Sequence, residues 1–173
     1  TPAQRNRNLI NLRGIKLCAE FNFPYYSAST AEQTTEWYLN CAVVVDKKDP
    51  IASGVTGTRF FRDSAGTDRG IDFAAVPDSL GKACLPINSD QYIVFFKKRY
   101  LLGAHPSQNS NSVLVDQYIP IDRQIRFTET NQPDTKFYFV YWFNRVGTTG
   151  VVPAVRGTIQ YRHITYFKQT CEC

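Results

Sequence analysis

Hydrophobic and polar residues alternate with period two through much of this chain. Ile15, Leu17, Ala19, Phe21 and Phe23 fall on one side, with Lys16, Cys18, Glu20 and Asn22 on the other. That pattern predicts a half-buried strand ending at Pro24. Trp37 to Val45 predicts a second strand, closed by the turn-forming run Asp46-Lys47-Lys48-Asp49-Pro50. Between them, Thr30-Ala31-Glu32-Gln33 matches a capping box and predicts one helical turn. Tyr92 to Leu102 is the third strand, with Lys97, Lys98 and Arg99 inside it. Val113 to Ile121 and Ile125 to Phe127 read as strands broken at Pro120, because proline cannot donate to a ladder. Phe137 to Phe143 is the most apolar segment. It is expected in the centre of a sheet, since such a run on an edge invites aggregation. Gly147 to Gly150 marks a turn, and alternation returns from Val155 to Phe167.

Seven or eight strands, uneven loops, no amphipathic helix of useful length and no internal repeat predict an all-β protein. The leading architecture is a single jelly-roll β-sandwich of two antiparallel sheets with about eight strands. Residues 9–167 would form this domain, 1–16 the end of a basic arm and the start of the first strand, and 168–173 a tail. Its 173 residues, 43% hydrophobic and 14% aromatic, suffice for one packed core and argue against disorder. No apolar run approaches the roughly 18 residues of a spanning helix. The chain holds no Met and begins Thr1-Pro2, so processing or an upstream segment is expected.

Charge matters here by its placement. Arg5, Arg7, Arg13 and Lys16 precede Glu20, the first acid, so this end carries +4 of the net +5. It reads either as a solvated terminus or as the last stretch of a basic arm that neutralises phosphate. Lys97, Lys98 and Arg99 are a second candidate group for phosphate contact, and Arg123 and Arg126 a third. Each has the plain alternative of an ordinary solvated charge. Trp37, Trp142 and the ten Tyr could stack bases; Trp142 is expected in the core from its apolar neighbours, and Trp37 is open.

The connection from Ile51 to Asp90 is rich in Gly, Ser, Asp and Pro. A connection this long in a compact domain is usually functional. Phe60-Phe61 and Ile71 to Val76 are apolar islands that would tie it down. Phe60, Phe61, Asp63 and Asp68 are candidates for subunit contact or surface, as are His105 and Asn109 in the polar loop Gly103 to Ser112. Asp63, Asp68 and Asp72 could hold Ca²⁺ by composition, but their spacing is not that of an EF-hand loop, and a solvated acidic loop is plainer.

Five dispersed cysteines (Cys18, Cys41, Cys84, Cys171 and Cys173) and two distant histidines, His105 and His163, give neither a disulfide framework nor a zinc spacing. Asp46 and Asp49 could pair as acid and base, though a turn explains them as well. No nucleophile motif or phosphate-binding Gly loop is present. The expectation is a non-enzymatic protein without cofactor or metal.

Several segments, taken in order, resemble the capsid proteins of small circular single-stranded DNA viruses, the circovirus, nanovirus and geminivirus group. Asn11-Leu-Arg-Gly-Ile-Lys-Leu looks like their first strand after the basic arm, and Cys41 to Asp46 (CAVVVD) like their second. Tyr92 to Leu102 (YIVFFKKRYLL), Pro120-Ile-Asp-Arg-Gln-Ile-Arg-Phe127, Phe137 to Phe143 and Arg156 to Phe167 continue the series. The pattern covers most of the chain and rests on order and spacing. A strongly Arg-rich arm is not visible, and the Cys-Glu-Cys tail departs from the group. Satellite RNA virus coat proteins share the architecture.

The resemblance implies a self-assembling icosahedral shell subunit that packages single-stranded DNA, with RNA as the other cargo left open. It also implies copies of itself and a host-cell receptor as partners, and location in the virion and, during assembly, the host nucleus. The competing class is a soluble lectin-like or cytokine-like β-sandwich binding module, which secretion signals and paired cysteines would favour. An enzyme on the same scaffold is the third, which a His-rich metal constellation would favour.

Overall fold

The computed structural model describes residues 9–24, 37–51, 54–55, 59–62, 85–102, 110–128, 132–145 and 158–169. They form six strands and no helix: β1 (Leu9–Pro24), β2 (Trp37–Asp46), β3 (Tyr92–Leu102), β4 (Ser110–Arg126), β5 (Tyr138–Arg145) and β6 (Thr158–Gln169). The helical turn expected at Thr30 to Gln33 and the apolar island at Ile71 to Val76 lie outside the described residues.

The strands make two three-stranded antiparallel sheets, ordered β4-β1-β6 and β3-β2-β5. The count is six among the described residues, against the eight or so expected. One reason is that β4 runs unbroken through Pro120. Pro120 opposes Gly14 on an edge strand, where a missing N–H is tolerated, and the ladder adjusts beside it by a bulge. Asp122, within that bulge, has φ 46°.

The two sheets share one apolar core. Leu12, Leu17, Ala19 and Phe21 of β1 meet Leu39, Cys41 and Val43 of β2 and Val115, Ile119 and Ile125 of β4. Burial pushes the Cys41 thiol up to about 12. A second apolar layer lies on the opposite face of β3-β2-β5, where Ala42, Val44, Tyr92 and Trp142 pack under Phe60, Phe61 and Ile87. The rings of Phe60 and Phe61 stand edge-on to Trp142 at 5.6 and 5.7 Å. Phe61 bridges Ile87, so 59–62 and 85–88 form a short antiparallel cover. Its ends are fixed by Asn88, which donates to Arg59 O at 3.2 Å and accepts from the Asp90 amide at 3.1 Å.

This double cover explains why the Cys41 to Val45 run is apolar without alternation: both faces of β2 are buried. It also corrects the placement of the Phe137 to Phe143 segment. Its strand, β5, lies at the edge of its sheet among the described strands, and its apolarity comes from burial on two sides. Trp142 is buried as expected. Phe60 and Phe61, expected at a subunit contact or surface, are 1% and 0% exposed and belong to the interior of this chain. Asp46 accepts the amides of Lys48 and Asp49 at 2.8 and 3.1 Å, which makes it the cap of the turn.

The two sheets therefore differ. The outer face of β3-β2-β5 carries its own apolar cover. The outer face of β4-β1-β6 presents exposed Leu114, Tyr118, Ile164 and Tyr166.

Candidate nucleic-acid interface

The register decides which predicted cations stand together. Directly opposed residues of an antiparallel pair share a face. The β1 residues Lys16, Cys18, Glu20 and Asn22 face away from the core, because Leu17, Ala19 and Phe21 face into it. Lys16 opposes Tyr118 on β4 and Ile164 on β6; Gly14 opposes Pro120 and Tyr166; Asn11 opposes Gln124 and Lys168; Leu9 opposes Arg126. The outer sheet face thus sets Arg13 and Lys16 beside two tyrosines, with Lys168 and then Arg126 further along the same face toward the start of β1.

Gly14 is what lets the tyrosines lie there. A Cβ at this position would stand 2.5 Å from Cζ of Tyr118 and 2.7 Å from the Ile119 carbonyl oxygen, so the ring occupies the space a side chain would fill. Tyr118 donates its hydroxyl to Arg13 O at 3.4 Å. Its ring meets that of Tyr166 edge-on at 5.8 Å. Both rings remain exposed, at 47% and 44%.

Arg13 stands where the β1–β4 and β1–β6 ladders both shift register. Its guanidinium bridges Asp122 at 2.8 Å, and Lys16 bridges Asp116 at 3.4 Å. All four side chains are about half exposed, so these bridges orient the cations more than they stabilise the fold. Over this end, Arg13, Lys16, Arg126 and Lys168 stand against Asp116 and Asp122, four positive charges to two negative. Arg162 stands level with Asp116, both opposing Cys18, and Glu20 lies beyond them. An exposed sheet face bearing cations beside accessible aromatic rings has the parts of a single-strand binding platform. Phosphates meet Lys and Arg, and bases stack on rings irrespective of sequence.

The other predicted cations do not join this patch. Arg123 opposes Leu12, so it lies on the core side of the sheet at its margin, half-buried. Lys97, Lys98 and Arg99 sit on β3 in the other sheet. Successive strand residues point to opposite faces, so three in a row cannot form one patch. They also have partners within the chain. Lys97 donates to Leu85 O at 3.4 Å, and Lys98 lies 5.1 Å from the centre of the Tyr100 ring. Arg99 lies over Tyr38 at 5.2 Å and donates from Nε to Asn40 Oδ1 at 3.2 Å. Asn40, fully buried, in turn donates to Asn144 Oδ1 at 2.5 Å. This is a buried polar tie across the sheet.

Arg5, Arg7, Asp63, Asp68, Asp72, His105 and Asn109 lie outside the described residues, as do Cys84, Cys171, Cys173 and the side chain of Trp37. Sequence alone pointed to Arg13, Lys16 and Arg126, and to the tyrosines only collectively as possible base stackers. It did not single out Tyr118 and Tyr166, and it missed Lys168 and the role of Gly14. Alternation places the tyrosines on polar faces, but their meeting over a glycine requires the long-range register of three strands. Lys168 fell in the expected tail, whereas β6 runs through Gln169.

Among the described residues, no group of three or more His, Cys, Asp or Glu side chains could hold a metal ion. Nor, among the described residues, is any helix long and apolar enough to cross a membrane. Fold and face together define an all-β, two-sheet protein with one sheet cloaked and the other presenting a cationic, aromatic surface. No protein-family model matches the chain, and no characterised protein matches it.

Proposed function

We propose that this chain is a self-assembling shell subunit with a jelly-roll body, and that it encloses single-stranded nucleic acid inside an icosahedral particle. The single observation that carries the cargo reading is that one exposed sheet face holds Arg13 and Lys16 beside the Tyr118–Tyr166 pair, with Lys168 and Arg126 continuing the line of cations along it. Arg5 and Arg7 immediately precede β1, which enters the sheet at this same end, so a basic arm would continue the patch. The rigid two-sheet body supports the shell reading, since repeated contacts close into a symmetric assembly only if each copy holds its angles. Copies of the chain and single-stranded DNA are the partners this reading names, with the virion, and the host nucleus during assembly, as locations.

The test is the mass and absorbance of purified full chain. Megadalton particles with excess absorbance at 260 nm are expected, and neutralising Lys16, Arg126 and Lys168 to Ala should lower that excess. β1 is the central strand of its sheet, so deleting the chain through Lys16 would remove core residues along with charge; substitution is the cleaner experiment. A stable small species that does not retain nucleic acid would favour a β-sandwich binding module instead.

A further inference from the structure

The β6 strand has an unusual surface. Its 12 residues pair with β1 on one side and form the edge of the sheet among the described strands. From Thr158 to Lys168 every side chain is exposed except Ile159, which is half-buried. Exposure includes large apolar groups on both faces: Ile164 and Tyr166 outward, Tyr161 at 66% and Phe167 at 47% on the core side. A long edge of this kind is a template for another strand. Protective devices are few: the segment has no proline, and its charges are Arg162 and Lys168.

Its sequence also names an occupant. In a two-fold antiparallel pairing of β6 with β6 of a second copy, centred on Ile164, each residue faces one of the same sheet face. Ile164 then opposes Ile164 of the copy. Arg162 opposes Tyr166, a cation beside an aromatic ring. Tyr161 opposes Phe167 on the core side, joining two exposed rings. His163 opposes Thr165, and Gln160 opposes Lys168. No like charges face each other. Shifting the axis one residue back sets His163 against itself and breaks both aromatic matches. Shifting it one residue forward opposes Arg162 to Lys168, and two back opposes Arg162 to itself; like charges directly opposite destabilise a pair.

We infer that β6 is a homodimer contact, in which two copies join their sheets edge to edge about Ile164 into one six-stranded sheet, β4-β1-β6-β6-β1-β4. This deepens the shell reading by naming a two-fold contact, and it rests on that reading only for the premise that copies associate. It also extends the cationic face, because Arg162 of each copy lands beside Tyr166 of the other.

The experiment is site-directed cross-linking of the full chain. Ile164→Cys should give a covalent dimer on mild oxidation, since opposed Cα atoms lie about 4.5–5.5 Å apart and within disulfide reach. Arg162→Cys should not exceed the parent chain. Its two copies would be offset by four residues, about 13 Å, which is beyond that reach. Ile164→Lys should lower the dimer fraction at least tenfold by sedimentation while leaving the far-ultraviolet circular dichroism spectrum unchanged. Cross-linking at position 163 in place of 164 would overturn this register. A monomeric parent with slowly exchanging β6 amides would overturn the contact, because the chain would then cover its own edge. Particles that form without a 164 cross-link defeat the contact and spare the shell. Cross-linked dimers that never form particles defeat the shell and spare the contact.

Discussion

Gly14→Ala tests the geometry of the cationic face most directly. In an ordinary strand this change stabilises by about 0.4–1 kcal/mol, because alanine narrows the unfolded ensemble. Here the new Cβ would stand 2.7 Å from the Ile119 carbonyl oxygen, some 0.7 Å inside the 3.4 Å limit of ordinary contact, and 2.5 Å from the Tyr118 ring. The ring can swing away, at the loss of its edge contact with Tyr166, which contributes about 0.5–1.5 kcal/mol. The carbonyl belongs to β4 and moves only if the ladder moves. Overpacking of this kind costs about 1–3 kcal/mol, so the net destabilisation is expected near ~1–2 kcal/mol. For a chain of this size that lowers Tm by about 2–8 °C. Urea unfolding of the dispersed chain, followed through the buried Trp142, reads the change. In a double-mutant cycle with Tyr118→Ala, the two substitutions should couple by at least about 0.5 kcal/mol, because deleting the ring removes part of the overlap. An alanine variant as stable as the parent, or a cycle without coupling, would refute the placement of the ring over Gly14.

Other consequences can be checked separately. Phe61→Ala should cost about 3–5 kcal/mol in denaturant unfolding, since the ring is fully buried against Phe60 and Trp142. Substituting Lys16, Arg126 and Lys168 together by Ala should flatten the salt dependence of single-strand binding by about two units of log–log slope, at about 0.7 per phosphate contact. Tyr166→Ala should weaken the same binding by about 1–3 kcal/mol, with Tyr166→Phe close to parent, if a base stacks there. Asn144→Leu should cost about 1–3 kcal/mol by removing the acceptor of one buried Asn40 amide hydrogen, the amide keeping its weaker bond to Trp142 O. Burial raises the Cys41 thiol from 9.0 to about 12, so the unfolded chain loses this proton first. Its stabilising effect is full below about pH 9 and lost towards pH 12, at up to about 1.4 kcal/mol per pH unit. Tyr100 and Tyr138, also raised by burial, act in the same direction above pH 10.0. Cys41→Ala should flatten the pH 9–10 part of the stability curve, measured by urea midpoints; an unchanged slope would refute it.

What the sequence revealed follows from what is local. Period-two alternation marks a strand wherever one face is wet, as in β1, and β3 was legible to its end residues, Tyr92 and Leu102, as an apolar and aromatic run between polar stretches. The stop of β1 at Pro24 was legible too, because a proline ends pairing locally. The failures all involve partners far away in the chain. Pro120 looked like a break because nothing nearby announces that it would face Gly14, more than 100 residues earlier, on an edge with a bulge beside it. Phe137 to Phe143 looked central because apolarity on both faces reads the same whether the second cover is another sheet or the segment around Phe60 and Phe61. Those two phenylalanines were legible as an apolar island that ties the connection down; the further reading of them as subunit contact or surface failed because the sheet they roof is assembled from segments distant in sequence.

The same distinction governs the candidate site. Lys97, Lys98 and Arg99 formed the densest cationic run in the strands, yet alternation divides a run between two faces. Arg13, Lys16, Arg126 and Lys168 are scattered over more than 150 residues of sequence and come together because three strands align them. Charge density on a strand is therefore a property of register and not of sequence neighbourhood. If the β6 edge pairs as inferred, the principle extends one step further, since Arg162 would complete the face of another copy.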